Sequence, residues 1–243
     1  MPSVVFDVVG TCFSYDNGAH ALHARLGDKL AKYGIPSKLL FYSWITSTER
    51  DYSYLSQIKQ YKPFLEIMSH TFTRILYQAG VPESDLEGFY TQEDLDYIVD
   101  GHRNLKPREG LAEMMQILRQ GGFDVWCCSD ANVERVKGYF DKAGVEMPLD
   151  RILSADMVKA GKPEPEVYKF ARQKAGSDKP GEVSVFAASH AWDCAAAKAA
   201  GFNVAYTTTY EYDECVAVFG KMDLVVPDLV SLGKGIVDKW GKK

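Results

Sequence analysis

Two hydrophobic rhythms run along this chain. Residues 4–11, Val-Val-Phe-Asp-Val-Val-Gly-Thr, open with an unbroken apolar run that ends in a carboxylate and a Gly-Thr turn. A short apolar run bounded by turn residues reads as a strand covered on both faces. From about residue 17 to 100 the period becomes helical. Leu22, Leu26, Leu30 and Ala31 give a helix over 19–33, and a second is expected over 39–58. Phe64, Ile67, Met68, Phe72, Ile75 and Leu76 give a third over 64–79, and 86–98 is a fourth, weaker segment. No strand candidate interrupts this block. From Gly110 onward helix and strand alternate. Helices are expected over 110–120, 132–143, 164–175 and 191–200, and strands over 123–128, 151–155, 182–188 and 203–208. A last strand over 223–226 precedes a C-terminal helix.

Strict alternation of this kind implies an α/β fold with a doubly wound, parallel, Rossmann-like sheet. The expected division is an α/β core from residues 1–14 and 100–243, with residues 15–99 inserted as an all-helical cap domain. Linkers near 12–18 and 99–109 would form the hinge between them.

Composition narrows the class. The chain has 243 residues, 46% hydrophobic and 25% charged, as in an ordinary globular protein with room for a full core and a smaller insertion. A net charge of −5 gives no reason to expect nucleic acid or an anionic membrane as partner. No apolar run approaches the roughly 20 residues of a membrane span. The sequence enters a core strand without a basic region and apolar signal segment before it. Its five cysteines, at 12, 127, 128, 194 and 215, follow no metal-ligand or disulfide spacing. A reduced, cytoplasmic protein is the expectation, and a homodimer is left open.

Candidate chemistry lies at the strand ends. In an open parallel sheet, ligands bind outside the carboxyl ends of the strands, and Asp7 stands there on the first strand. A carboxylate in that place fits a nucleophile, and it also fits simple turn capping before Gly10. Ser129 and Asp130 close the strand over 123–128, where helix N-capping is the plainer role. Lys162 precedes Pro163, with Lys159 as a competing cation three residues earlier. Asp193 falls in the first turn of an alanine-rich helix, where the helix dipole favours an acid.

Taken in order, Asp7 with Thr11, Ser129, Lys162-Pro163 and Ser189-His190-Ala191-Trp192-Asp193 resemble the motifs of the haloacid dehalogenase (HAD) superfamily of hydrolases. The resemblance runs from residue 4 to about 230. It implies that Asp7 forms a covalent aspartyl ester and that Lys162 keeps Asp7 ionised. It further implies that Thr11 and Ser129 hold a carboxylate of substrate or intermediate, and that Asp193 orients or deprotonates the hydrolytic water. HAD phosphatases carry a second aspartate two residues after the nucleophile, here Val9, and a metal carboxylate four before the distal aspartate, here Ser189. Mg²⁺ needs hard oxygen ligands, usually several carboxylates. The resemblance is therefore nearest to the type II 2-haloacid dehalogenases, whose halide leaving group needs no proton and which use no cofactor. The alternative is a Mg²⁺-dependent phosphatase acting on a small organic phosphate, with Asp7 and Asp193 as metal ligands.

Details of that branch extend the site. Tyr168 stands six residues after Lys162, and Trp192 precedes the distal aspartate. Tyr52-Ser53-Tyr54-Leu55, followed by Tyr61 and Phe64, is similar to the branch's aromatic cap segment. Departures are Val9 for an aromatic, His190 for an asparagine, and Asp130 for another asparagine. The cap arginine of the branch would fall near Ile45 or Thr46; Arg50, one helical turn on, is the nearest substitute. Arg50, Tyr168, Ser189, His190 and Trp192 are thus the expected binding residues for a small anionic substrate.

Overall fold

In the computed structural model, which describes residues 1–176 and 182–241, the chain forms two compact units. One comprises residues 1–14 and 107–243, the other residues 15–106. The expected core segment 100–243 thus includes 177–181 and 242–243, which lie outside the described residues. No helix among the described residues is long and apolar enough to cross a membrane.

Strand β1 (Ser3–Phe6) and the two-residue β2 (Phe13–Ser14) come first. The helical unit follows with α1 (Asp16–Ala31), α2 (Ser37–Gln57), α3 (Phe64–Gln78), the single turn α4 (Glu83–Leu86) and α5 (Gln92–Arg103). Its core is aromatic: Trp44 packs on Phe72 with ring centroids 4.5 Å apart and donates its indole N–H to Met68 O at 3.1 Å. The fourth predicted helix is displaced. Thr91 and Asp94 form a reciprocal capping box that starts α5 at Gln92, and the helix continues to Arg103. Residues 100–106 therefore stay with the helical unit instead of the core.

The chain then forms β3 (Lys106–Pro107), α6 (Leu111–Gln120), β4 (Asp124–Ser129), α7 (Val133–Lys142), β5 (Ile152–Ser154) and α8 (Pro165–Lys174). It ends with β6 (Ser184–Ala188), α9 (Ala191–Ala199), β7 (Asn203–Thr207), the short α10 (Val216–Phe219), β8 (Leu224–Val226) and α11 (Leu229–Trp240). Six strands form one parallel sheet in the order β5-β4-β1-β6-β7-β8. The order reverses at β1, which is the topological switch of a doubly wound sheet. Val4, Val5 and Phe6 are fully buried at its centre, each stabilising the fold by about 1.5–3 kcal/mol relative to exposure. This central strand gives Asp7 its rigid base.

Candidate active site

The site begins where β1 stops. Asp7 N donates to Ala187 O of β6 at 3.0 Å, and the chain then turns sharply, with Cys12 N and Phe13 N both donating to Val8 O. Gly10 has φ +89°, a left-handed conformation that suits only glycine there. This turn brings Thr11 back onto the nucleophile candidate: its hydroxyl donates to Asp7 Oδ2 at 2.6 Å. Ser189 N donates to Thr11 Oγ1 at 2.9 Å, and the Ser189 hydroxyl lies 3.1 Å from it. Because the single Thr11 proton goes to Asp7, Ser189 is the donor in that hydroxyl pair.

Lys162 arrives from the loop after β5. Its backbone N–H donates to Asp130 Oδ1 at 3.1 Å, which ties the loop to the end of β4. Its Nζ lies 2.9 Å from Asp7 Oδ1 and 2.7 Å from Asp193 Oδ2, with the side chain 1% exposed. Tyr168 on α8 donates its hydroxyl to Asp193 Oδ1 at 2.5 Å. His190, at the N-cap of α9, places Nδ1 3.2 Å from Asp7 Oδ2. A carboxylate only accepts, so Nδ1 carries the proton of that contact.

Electrostatics follow from this arrangement. Burial alone would raise Asp7, but the Lys162 ammonium, His190 and the Thr11 hydroxyl together hold its carboxyl well below the usual range. Burial raises Asp193, which shares its ammonium with Asp7. Burial opposes the charge on Lys162, yet Asp193 and Asp7 lift it well above the ordinary lysine value, so it stays protonated. The neighbouring thiols are no competing nucleophiles: burial pushes Cys128 up to about 12, and burial with the Asp7 charge raises Cys12 further.

Comparison with known proteins adds to the geometry. The profile of the haloacid dehalogenase-like hydrolases matches residues 1–201. The chain belongs to that family. It is 28% identical over 200 residues to (S)-2-haloacid dehalogenase 4A of Burkholderia cepacia, covering 82% of this chain and 79% of that protein. It is 23% identical to the (S)-2-haloacid dehalogenase of Pseudomonas fluorescens over 239 residues, 96% of each chain. The L-2-haloacid dehalogenase from Xanthobacter autotrophicus with chloropropionic acid covalently bound has the same fold. That match has a TM-score of 0.75 at 18% identity over 99% of this chain and 100% of the other.

Within this HAD-family hydrolase, the structure gathers Asp7, Thr11, Lys162, Tyr168, Ser189, His190 and Asp193 into one hydrogen-bonded cluster of the α/β unit. Lys159 is exposed, and Lys162 is the buried cation of the pair. Two residues expected at the substrate are engaged within the protein. Tyr168 is fully buried on Asp193, and Ser189 is fully buried on Thr11. Asp193, expected at the hydrolytic water, has both oxygens taken by Lys162 and Tyr168. Trp192 is half-buried, 5.5 Å from the His190 ring. Ser129 accepts from Ala131 N at 3.1 Å as a local turn, and the N-cap of α7 is Asn132 instead. Arg50 belongs to the helical unit, exposed like Thr46, with Nε and Nη2 on Asp51 at 3.1 and 3.0 Å. Tyr52 and Phe64 there are core residues packed edge to face.

Two neighbours escaped the sequence reading. Arg108 donates Nε to Gly10 O at 2.8 Å, beside the turn that carries Thr11. Glu211 accepts from Ala191 N at 2.6 Å, and its carboxyl is raised by burial. Both lie in loops without a motif, and only their charge in a loop after a strand could have marked them. The donor set fits Mg²⁺ poorly, since the two carboxylates share one lysine ammonium and Val9 offers no side-chain oxygen. No cluster of three or more His, Cys, Asp or Glu suited to a metal occurs among the described residues.

Proposed function

We propose that this hydrolase removes halide from a short 2-haloacid through an aspartyl ester, without a metal. The observation that carries the reading is an Asp7 carboxylate held ionised by Lys162 and without an acid two residues on, at Val9. Asp7 attacks the halogen-bearing carbon from the side opposite the halide, the carbon–halogen bond breaks, and the halide leaves with its electron pair. Water then cleaves the ester and returns Asp7 to its carboxylate. Splitting one displacement into two steps suits a substrate whose leaving group needs no proton.

The other residues take supporting parts. Lys162 keeps Asp7 charged, and Asp193 with Tyr168 fixes Lys162. Thr11, positioned by Ser189, orients Asp7 Oδ2. Ser129 and Trp192 are proposed to meet the substrate's carboxylate and apolar portion, and Arg50 is proposed separately as an anion-binding residue of the helical unit. The (S)-2-haloacid relatives support this substrate class. The test is a paired assay of halide and phosphate release with and without EDTA. Chelator-resistant halide release from a 2-haloacid is expected. Phosphate release that EDTA abolishes and Mg²⁺ restores would replace this reading with the phosphatase one.

A further inference from the structure

We propose that His190 and Thr11 together form the oxyanion hole for hydrolysis of the Asp7 ester, so that His190 is a catalytic residue of the second half-reaction. The inference rests on the aspartyl-ester reading above and says which oxygen of Asp7 does what. The two oxygens are held differently. Oδ1 meets the Lys162 ammonium at 2.9 Å. Oδ2 meets two donors, the Thr11 hydroxyl at 2.6 Å and His190 Nδ1 at 3.2 Å. With two donors fixed on Oδ2 and the ammonium on Oδ1, the proposal assigns Oδ1 to attack carbon and Oδ2 to remain as the carbonyl oxygen. Once Oδ1 is alkylated, Cγ=Oδ2 is the ester carbonyl, and its two donors are already in place.

The electron count closes on that geometry. Water oxygen adds to Cγ, and the carbonyl electron pair moves onto Oδ2, where Thr11 Oγ1–H and His190 Nδ1–H meet the developing charge. Collapse restores Cγ=Oδ2 and breaks the Cγ–Oδ1 bond. Oδ1 leaves on the product and takes one water proton to become the hydroxyl of the 2-hydroxyacid. The other proton is lost to bulk water, and Asp7 keeps the water oxygen. Donors aimed at where charge develops, in a buried site, are a principal source of rate enhancement.

The surroundings hold His190 in that pose. Its ring packs against Trp192 at 5.5 Å and Tyr210 at 5.0 Å, and the side chain is 3% exposed. Glu211 is anchored on the next residue's N–H, so a carboxylate stands close to the imidazole. Thr11 is held in its pose because Ser189 N donates to its oxygen while its own proton goes to Asp7.

The experiment is rapid-quench halide release from a 2-haloacid, with intact-mass and peptide analysis, for wild type, His190→Ala and His190→Asn. His190→Ala should release about one halide per active site in a burst, then turn over about 100-fold to 1,000-fold more slowly than wild type. The Asp7 peptide should carry the ester mass. His190→Asn, whose amide N–H can still donate, should recover much of the steady-state rate and shows the effect in a variant of similar polarity. Equal slowing of burst and steady state in His190→Ala, or slow turnover without accumulated ester, overturns the oxyanion hole while leaving the dehalogenase reading intact. Absence of halide release from the wild type overturns both.

Discussion

Lys162 meets both buried carboxylates of the site, and its removal has a calculable consequence. Its ammonium lies 2.9 Å from one carboxylate and 2.7 Å from another, with the side chain 1% exposed. At an effective dielectric constant of about 20, each contact is worth about 6 kcal/mol of gross attraction. Desolvation of the three charges offsets most of that, and breaking a buried pair typically costs about 3–5 kcal/mol. Lys162→Met keeps the apolar stem and deletes the charge, leaving Asp7 and Asp193 as two adjacent buried anions. Against a total stability of about 5–15 kcal/mol, the variant should be folded but markedly weakened, and inactive. Its carboxyls are then raised above their unfolded values. The penalty is therefore full near neutral pH and fades as pH falls through the raised values, because the folded state takes up protons first. Urea denaturation followed by circular dichroism reads both effects, at about pH 7 and about pH 5. Lys162→Met/Asp193→Asn should recover part of the loss by removing one anion. A loss under about 1 kcal/mol, equal at both pH values, would refute the claim that Lys162 neutralises two buried carboxylates.

Other consequences can be tested alongside. Arg50→Ala should lower kcat/KM for a 2-haloacid about tenfold to hundredfold, the worth of one charge-assisted contact, with Arg50→Lys recovering part. Unchanged kinetics would turn attention to Arg108, whose guanidinium lies beside Gly10. In the helical unit, the Thr91 backbone and side-chain hydrogen bonds hold Asp94 below the ordinary 3.8. That stabilisation is complete above the unfolded value and lost as pH falls through the lower folded one. Asp94→Ala should thus be about 0.5–1 kcal/mol less stable at neutral pH and converge with wild type in acid; a gap that persists in acid would contradict the capping-box account.

The sheet and the nucleophile candidate were legible because they depend on local pattern. An apolar run ending in Asp7 and a Gly-Thr turn specifies a strand, its terminus and a left-handed glycine almost by itself. Lys162 was legible over Lys159 through its proline context, and the fold agrees by burying it. Roles that depend on distant partners were not legible. Nothing near Tyr168 says that its hydroxyl meets Asp193, or that Ser189 supports Thr11 from across the β1–β6 boundary. Capping was misread for a related reason. Ser129 and Asn132 are both competent N-caps, and only the path of the turn decides that Asn132 caps α7. The start of α5 was missed because Thr91 and Asp94 signal it more strongly than the weak apolar period before them.

The central claim is that Asp7 becomes covalently bonded to substrate, and isotope placement tests it most directly. Enzyme in excess over a 2-haloacid is taken through one turnover in ¹⁸O-labelled water, and the Asp7 peptide and the product are weighed. The account predicts label in the Asp7 carboxylate and unlabelled 2-hydroxyacid, with no turnover in Asp7→Asn. Label appearing directly in the product, with an unlabelled Asp7 peptide, would mean that water attacks the substrate carbon and that no ester forms.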